Sequence, residues 1–437
     1  MKKNKELNEM IQRYREFTTS IKESKYAGEE LPSKSLHQLP HCSFGSNSEI
    51  YFGNNMDVLK LLPDNFLDGN VTDGPYGIQF LSNNWDSEVP SVEFWEEVYR
   101  VLKPGAFVVS FGSPRTNHKM VTNIENAGFN IQGQINWIYS SGMPKSTNLS
   151  LKIDKHLGHP NRGHQVATAS RNHPNGKKLP NGVKLPPYQA ITEEAKKWSG
   201  YGTAGLKPAF EPITIAQKPI SEKNIAANVL KWGTGGINVD ACRIDKRFPA
   251  DIILECICDH MSLEETKKGK TNHIIVKHTD PDCPCFQMDV QSGLTDQGFW
   301  QNSNPPGKIK VESGQSMDTK GFNKYKILAG ASSYFRVIYN SKASKQEKER
   351  GLAKNGQSRE RQNQHPTVKP IALMKELIQL FIPEGGKFID PYIGSGSSGI
   401  ACLALGNRNF IGVELDKMYY DTAVNRCNYE VVLKNQN

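Results

Sequence analysis

The sequence has 437 residues, 37% of them hydrophobic, with 37 glycines and 25 prolines, which is enough chain for one large domain or two ordinary domains with a buried core. No apolar run approaches the ~20 residues that a membrane-spanning helix needs, and polar residues follow the basic start where a signal peptide would be apolar. We therefore predict a cytoplasmic protein with no membrane partner. The formal net charge is +9, and the eight cysteines are too few for a disulfide scaffold in a chain of this length.

The first predicted element is an amphipathic helix, because apolar residues recur at helical spacing between Leu7 and Ile21. We expect it to dock on the core or on a second subunit, as in a homodimer. From about Glu49 the sequence takes the texture of an α/β domain. Predicted strands and helices alternate there: strands Ile50–Phe52, Asn70–Thr72, Ala106–Ser110 and Ile135–Ile138, and helices Val92–Leu102 and Lys119–Ala127.

The α/β pattern is interrupted and then resumes. Residues 140–333 are rich in loop signals, whereas Tyr334–Tyr339 predicts a further strand and Ile371–Phe381 a helix. We therefore predict a doubly wound α/β fold carrying a large insertion. Its segments are a helical extension at 1–37, the two halves of the α/β domain at 38–150 and 334–437, and an inserted region at 151–333.

The start of this insertion concentrates positive charge. Eleven basic and three acidic residues lie between Ser140 and Lys207, interleaved with aromatic residues such as Trp198 and Tyr201. A solvated surface could have this composition. Cationic loops that carry aromatic side chains also suit a polyanion with bases that can be stacked, so the pattern favours a nucleic-acid partner.

A glycine loop follows a predicted strand at Lys387–Asp390. Gly394, Gly396 and Gly399 have the G-x-G-x-x-G spacing, and a second strand at Asn409–Val413 ends in Glu414, 20 residues after the first glycine. An acid at this distance suits the hydroxyls of a ribose, and the glycines allow a cofactor to approach the backbone. The pattern predicts a nucleoside-containing cofactor. NAD is disfavoured, because most of the sheet must precede this motif in the chain.

A second motif, Asp73-Gly74-Pro75-Tyr76, ends a strand in the first half of the chain. By itself it could be a turn. In combination with Asp390-Pro391-Tyr392 and the glycine loop, it resembles the β class of DNA amino-methyltransferases, in which the catalytic motif precedes the target-recognition region and the cofactor motif follows it. The resemblance covers nearly the whole chain from about Gly53. Further matching segments are Trp85–Asp86, Leu102–Gly105, Ser141–Ser146, Lys207–Pro212, Trp232–Asp240 and His365–Pro370.

These segments resemble a branch of the family common in phages and prophages, which implies a Rossmann-like methyltransferase fold with a permuted motif order. Residues 38–150 would be its catalytic half, 334–437 its cofactor-binding half and 151–333 its target-recognition region. S-adenosyl-L-methionine is the implied cofactor and double-stranded DNA the implied substrate. The implied cofactor-binding residues are Asp57 on the adenine side, Thr367, Lys369 and Pro370 at the methionine end, Glu414 on the ribose, and Asp390, Pro391, Tyr392, Gly394, Gly396 and Gly399 in the loop.

The catalytic motif suits amine chemistry. The Asp73 carboxylate can accept one hydrogen of an exocyclic base amine and the Gly74 carbonyl the other, which turns the lone pair of the nitrogen toward the methyl group. Tyr76 can stack on the flipped base, with Pro75 fixing the loop. In the family that the chain resembles, an acid at the first motif position usually accompanies adenine, so Asp73 favours adenine N6 over cytosine N4. Methylation of RNA or of protein amides, and a non-catalytic DNA-binding role, remain alternatives; the family usually has proline where this chain has Gly74.

Seven cysteines and histidines crowd the stretch 256–285. The tentative metal ligands are Cys256, Cys258, His278, Cys283 and Cys285, whose donor atoms suit structural zinc. Isolated buried cysteines are the plainer interpretation. Pro284-Cys285 is similar to the nucleophile of cytosine C5 methyltransferases, but the motif at Asp73 needs no thiol. A nuclease motif is not visible, so we expect a modification enzyme without an evident restriction partner.

Overall fold

The structure is a computed structural model that describes residues 36–45, 47–79, 84–139, 146–159, 188–203, 205–244, 247–258, 261–268, 271–292, 295–299, 326–329, 332, 335–339, 343, 345–352 and 362–434. The helix predicted between Leu7 and Ile21, and with it the expected docking on a second subunit, lies outside these residues. Among the helices that are described, none combines the length and the apolar character needed to cross a membrane.

The described chain forms fourteen strands and eleven α-helices. The strands are β1 His41–Phe44, β2 Ser48–Phe52, β3 Leu67–Thr72, β4 Leu102–Phe111, β5 Asn130–Ile138, β6 Phe210–Gln217, β7 Ile252–Cys256, β8 Met261–Lys268, β9 Thr271–His278, β10 Thr295–Phe299, β11 Lys326–Ala329, β12 Arg336–Tyr339, β13 Lys387–Asp390 and β14 Asn409–Glu414. The helices are α1 Asn55–Leu61, α2 Val92–Val101, α3 Asn117–Asn126, α4 Leu149–His156, α5 Glu193–Lys197, α6 Ile225–Trp232, α7 Pro284–Ser292, α8 Lys345–Lys348, α9 Ile371–Phe381, α10 Ser397–Leu405 and α11 Lys417–Lys434.

Ten strands form the main sheet in the order β1-β2-β14-β13-β3-β4-β6-β5-β7-β12. Five adjacent strands of this sheet run parallel to one another: β2, β14, β13, β3 and β4. On either side of them, β1 is antiparallel to β2 and β6 is antiparallel to β4. A predominantly parallel sheet needs helices on both faces to cover its apolar side chains. The doubly wound α/β prediction is confirmed.

The two faces are covered by different helices. Phe107 and Val109 of β4 share a buried cluster with α9 and α10, while Val108, between them, belongs to the cluster of α2 and α3. This alternation follows from the two-residue period of a strand. Each face of the sheet therefore has its own core.

The chain order is permuted as predicted. Strands β13 and β14 come last in the sequence but lie in the sheet between β2 and β3. Phe388 and Ile389 of β13 pair in parallel with Gly69 and Asn70 of β3. The segments that follow β3 and β13 consequently meet at the carboxyl edge of the sheet, where ligands bind in open α/β folds.

Part of the predicted insertion belongs to the main sheet. Strands β6 and β7 fall within 151–333 but pair with β4, β5 and β12.

The described chain forms two compact units, one from Met1–Ser140 with Glu211–Asn437 and one from Ser141–Phe210. Within the smaller unit, the buried Asp154 of α4 accepts hydrogen bonds from Tyr188 and from the backbone of Ile191 and Thr192. A second sheet, in the order β10-β11-β9-β8, is part of the larger unit.

Candidate active site

The segment that follows β3 is held in place by two side chains. The buried Asp86 carboxylate accepts hydrogen bonds from the backbone N–H groups of Tyr76 (2.6 Å) and Gly77 (3.0 Å). The Thr116 hydroxyl donates to the carbonyl of Tyr76. Gly77 has a φ of +66°, a conformation that favours glycine. It allows the chain to turn sharply a few residues after Asp73.

Four side chains form one polar cluster at the end of β3. The ammonium of Lys369 lies 2.6 Å from Oδ2 of Asp73 and 3.2 Å from Oε2 of Glu211. The Tyr76 hydroxyl lies 2.8 Å from Oδ1 of Asp73 and 3.0 Å from Oε2 of Glu211, and Lys369 donates to it over 3.0 Å. Since all four side chains are at least half-buried, these contacts are stronger than they would be in water.

The cluster has an excess of one negative charge, because two carboxylates face one ammonium. Burial by itself lowers the pKa of Lys369. The negative charges of Asp73 and Glu211 have the larger effect, so the pKa of Lys369 is raised above its ordinary value. Burial, with the same two carboxylates, also raises the pKa of Tyr76 well above its ordinary value. Lys369 is therefore a permanent cation and Tyr76 a neutral phenol at physiological pH.

Asp390 at the end of β13 joins the glycine loop to β3. Its Oδ1 accepts a hydrogen bond from Thr72, the residue before Asp73, over 2.8 Å, and its Oδ2 accepts one from Ser398 in α10. The backbone N–H of Tyr392 also donates to Oδ1. Burial raises the pKa of Asp390 to about 6. The two motifs, far apart in sequence, are thus fixed to each other through one buried carboxyl group.

The three glycines of the motif meet two different constraints. Gly394 (φ +54°) and Gly396 (φ +87°) adopt left-handed backbone conformations, and Gly396 is the N-cap residue of α10. A Cβ atom at Gly399 would lie 2.9 Å from Phe410 of β14 and 2.9 Å from Cys427 of α11. The loop therefore turns sharply, and α10 packs directly on its neighbours.

Glu414 lies at the end of β14, beside this loop. Its carboxylate accepts hydrogen bonds from the backbone of Gly394 (2.9 Å) and Asp416 (2.8 Å), and burial raises its pKa to about 7. The backbone N–H of Gly53 donates to the Glu414 carbonyl, so the start of α1 lies at the same edge. Asp57, in the first turn of α1, is exposed.

The segment before α9 contributes Thr367, Lys369 and Pro370. The half-buried Thr367 donates its backbone N–H to His365, and Pro370 precedes the first turn of α9. Burial, followed by the charges of Lys369 and Arg426, lowers the pKa of His365 to about 4. The side chain of Lys369 reaches Asp73, a contact that its predicted role at the methionine end does not include.

Three residues of the site were not predicted from the sequence. Glu211 and Asp86 lie in segments that carried the family resemblance, but neither had been given a role. Asn55 donates to the carbonyl of Pro391 over 3.3 Å and is followed two positions later by the predicted Asp57. A glutamate near the start of a largely apolar strand, as Glu211 is in β6, is the signal that could have found the first of them.

A family model described as DNA methylase, of the N6/N4 type, matches residues 67–425, which span both motifs and everything between them. The chain belongs to the N6/N4 DNA methylase family. The α/β sheet with its permuted glycine loop is accordingly the methyltransferase fold predicted from the sequence.

The chain is also similar to individual proteins. Type II methyltransferase M.HindIII of Haemophilus influenzae is 23% identical over 341 residues, which cover 78% of this chain and 69% of that protein. Type II methyltransferase M2.DpnII of Streptococcus pneumoniae is 39% identical over 66 residues, 15% of this chain and 24% of that one. Among solved structures, the M1.HpyAVI–SAM complex is 16% identical and has a TM-score of 0.36, with 87% of this chain and 98% of that chain covered.

Four of the five predicted metal ligands of this DNA methylase form one cluster, and the fifth lies beside it. The donor atoms of Cys256, Cys258, His278 and Cys283 all lie within 4.8 Å of one another, and all four residues are buried. Cys285 is also buried, and its thiol contacts the thiols of Cys256 and Cys283 as well as the carbonyl of Glu255, at 3.6 Å.

The basic segment of the DNA methylase is described in part. Lys177, Lys178 and Lys184, at the centre of the charge excess, lie outside the described residues. Trp198 and Tyr201 are 46% and 59% exposed, and their rings contact each other edge to face. Exposed aromatic side chains in a basic segment are suited to contacts with bases.

Proposed function

We propose that the protein transfers a methyl group from S-adenosyl-L-methionine to the exocyclic amine of a base flipped out of duplex DNA, and that the amine is adenine N6. The observation that carries this proposal is the hydrogen bond from Thr72 to Asp390. It brings the catalytic motif and the glycine loop to adjacent strand ends, where a base and a cofactor can meet.

The residues at this edge fit the cofactor chemically. The Glu414 carboxylate has room for a hydrogen bond from a ribose hydroxyl, because a carboxylate can accept about four hydrogen bonds and three come from the backbone of Gly394, Leu415 and Asp416. Asp57 is assigned to contact the adenine of the cofactor, and the loop around Gly394 lets the cofactor approach the backbone. The excess negative charge of the Asp73 cluster favours a cation. Bound there, S-adenosyl-L-methionine supplies an electrophilic methyl group on a positively charged sulfur.

Asp73 is assigned the central catalytic role. Its carboxylate accepts a hydrogen of the base amine, which concentrates electron density on the nitrogen, and the Gly74 carbonyl accepts the second hydrogen. The amine must lose one proton as the new N–C bond forms, and Asp73 is the first acceptor for it. The Tyr76 ring stacks on the base and its hydroxyl is tethered to Asp73, so orientation supplies most of the catalysis.

Lys369 and Glu211 act as positioning residues in this proposal. The Lys369 ammonium fixes Oδ2 of Asp73, and Glu211 holds Lys369 and Tyr76 from the other side. Without the ammonium, two carboxylates would face each other in a partly buried site, and one would be driven to take up a proton. Lys369 therefore offsets the repulsion between the two carboxylates and orients Asp73 toward the amine.

The choice of adenine rests on the carboxylate. Within the resembling family, an acid at the first motif position usually accompanies adenine and a serine usually accompanies cytosine. Cytosine N4 is the alternative, because both amines are chemically of one type. Duplex DNA is preferred over RNA or protein because the basic segment carries exposed aromatic residues.

The experiment is transfer of a tritiated methyl group from labelled cofactor to duplex DNA, RNA and protein in parallel, with Asp73→Asn as the control. We expect label in DNA for the wild type and none for the variant. Label confined to RNA or protein would overturn the assignment of DNA as the substrate. Binding of DNA with no label in any acceptor would favour the non-catalytic alternative.

A further inference from the structure

We propose that Cys256, Cys258, His278 and Cys283 form a structural zinc site that joins the two β-sheets of the larger unit. Methyl transfer neither requires this site nor explains it. Three thiols and an imidazole, all buried, are the donors that zinc prefers in structural sites. We assign Cys285, the fifth candidate in the sequence, to a role outside the metal.

The distances between the donor atoms match a tetrahedral site. Nδ1 of His278 lies 3.2 Å from the sulfur of Cys256, 3.6 Å from that of Cys258 and 4.0 Å from that of Cys283. The sulfurs of Cys256 and Cys283 are 3.8 Å apart. Zinc–sulfur and zinc–nitrogen bond lengths imply edges of about 3.8 Å between two sulfurs and about 3.6 Å between sulfur and nitrogen in a tetrahedron.

One further contact suits a metal-bound thiolate. The backbone N–H of Asp280 donates to the sulfur of Cys258 over 3.4 Å. Hydrogen bonds of this kind orient metal ligands and stabilise the charge on the sulfur.

The separation of the Cys256 and Cys283 sulfurs is far longer than the roughly 2.05 Å of a disulfide bond. The arrangement therefore fits coordination and not a cystine.

The four ligands come from different elements. Cys256 is the last residue of β7 in the ten-stranded sheet, and Cys258 follows it after one residue. His278 is the last residue of β9 in the four-stranded sheet, and Cys283 immediately precedes α7. A single ion would thus fix the second sheet and α7 to the edge of the main sheet. Four protein ligands complete the tetrahedron, so the site is closed and structural.

Cys285 provides the matched control. It is as buried as Cys283, lies two residues away and contacts the thiols of Cys256 and Cys283. It is not one of the four residues whose donor atoms all lie within 4.8 Å of one another, and its sulfur donates to the carbonyl of Glu255. Replacing either cysteine by serine is the same chemical change, made at the same end of α7. The assignment requires that Cys283→Ser lowers the metal content and that Cys285→Ser leaves it unchanged, since only Cys283 belongs to the ligand set.

The test is elemental analysis of the purified full-length chain, with thermal unfolding before and after treatment with a chelator. We expect about one zinc per chain, retained in Cys285→Ser and lost in Cys283→Ser, and a lower unfolding temperature after zinc removal. If Cys283→Ser does not fold, Cys258→His, which substitutes another zinc donor, should fold and retain the metal. A wild type that is metal-free at full stability would overturn the proposal, as would loss of zinc from Cys285→Ser.

Discussion

The ring of Tyr392 lies directly against the backbone of Gly74. A Cβ atom at position 74 would be 3.2 Å from Cδ2 and 3.3 Å from Cε2 of that ring, and 3.4 Å from Pro90. The ring in turn packs on Phe94, with 5.3 Å between the ring centroids. At this position, where the family usually has proline, the Tyr392 ring therefore occupies the space beside the Gly74 backbone that a Cβ atom would need.

This close packing predicts the effect of Gly74→Ala on stability. The added methyl group must displace a packed ring by a few tenths of an ångström, and overpacking of this kind costs about 1 kcal/mol. Gly236→Ala is the matched control, because a Cβ atom there would meet nothing within 4 Å. Urea unfolding should show Gly74→Ala to be the less stable of the two. Equal stability would mean that the Tyr392 ring moves aside freely.

Removal of the Lys369 charge should change the pH dependence of methyl transfer. In Lys369→Met, Asp73 and Glu211 face each other without a cation, and the repulsion between two carboxylates favours protonation of one of them. Since the proposed mechanism uses the carboxylate form of Asp73, the acid limb of the kcat profile should move to higher pH. Lys369→Arg retains the charge and should keep the wild-type limb. An unshifted profile in Lys369→Met would contradict the positioning role.

Cofactor affinity should depend on the protonation of Glu414. The ionised carboxylate is the stronger acceptor for ribose hydroxyls, and burial raises its pKa to about 7. Affinity for S-adenosylhomocysteine should therefore be constant above that pH and fall by up to about tenfold per pH unit below it. Calorimetry of Glu414→Gln should give weak binding without this dependence, whereas the surface variant Asp421→Asn should behave as the wild type. Wild-type affinity that is independent of pH around 7 would refute the assignment.

The basic segment should contribute to DNA binding by neutralising phosphates. Replacing Lys177, Lys178 and Lys184 by glutamine should weaken binding and flatten its salt dependence, with the slope reduced by roughly 0.9 for each phosphate that is no longer neutralised. Lys196→Gln is the control, since this exposed lysine is paired with Glu193. An unchanged salt slope in the triple variant would show that these lysines form a solvated surface.

Local sequence patterns predicted most of the sheet. The predicted strands at Asn70–Thr72 and Ala106–Ser110 lie within β3 and β4, and the glycine loop follows β13 as expected. Strand β4 is readable because a buried parallel strand tends to carry a near-continuous apolar run whatever its neighbours are. The membership of β6 and β7 in the main sheet was not predicted, because pairing between distant strands leaves no local signal.

The polar cluster shows the same limit within the site. Asp73 and Lys369 were both singled out, but for different partners, since their motifs are separated by most of the chain. Their ion pair depends on the placement of β13 beside β3. Glu211 completes the cluster only because β6 runs antiparallel to β4. Such relationships arise from topology, and the residues alone do not encode them in any short pattern.

The most direct test of the account is the identity of the methylated nucleoside. Duplex DNA incubated with the protein and S-adenosyl-L-methionine is hydrolysed to nucleosides and measured by mass spectrometry, for the wild type and for Asp73→Ala. The account predicts N6-methyladenine with the wild type and no methylated base with Asp73→Ala, which should still bind S-adenosylhomocysteine within a few fold of the wild type. Methyl transfer by Asp73→Ala at the wild-type rate would contradict the role of Asp73, and N4-methylcytosine as the dominant product would contradict the choice of base.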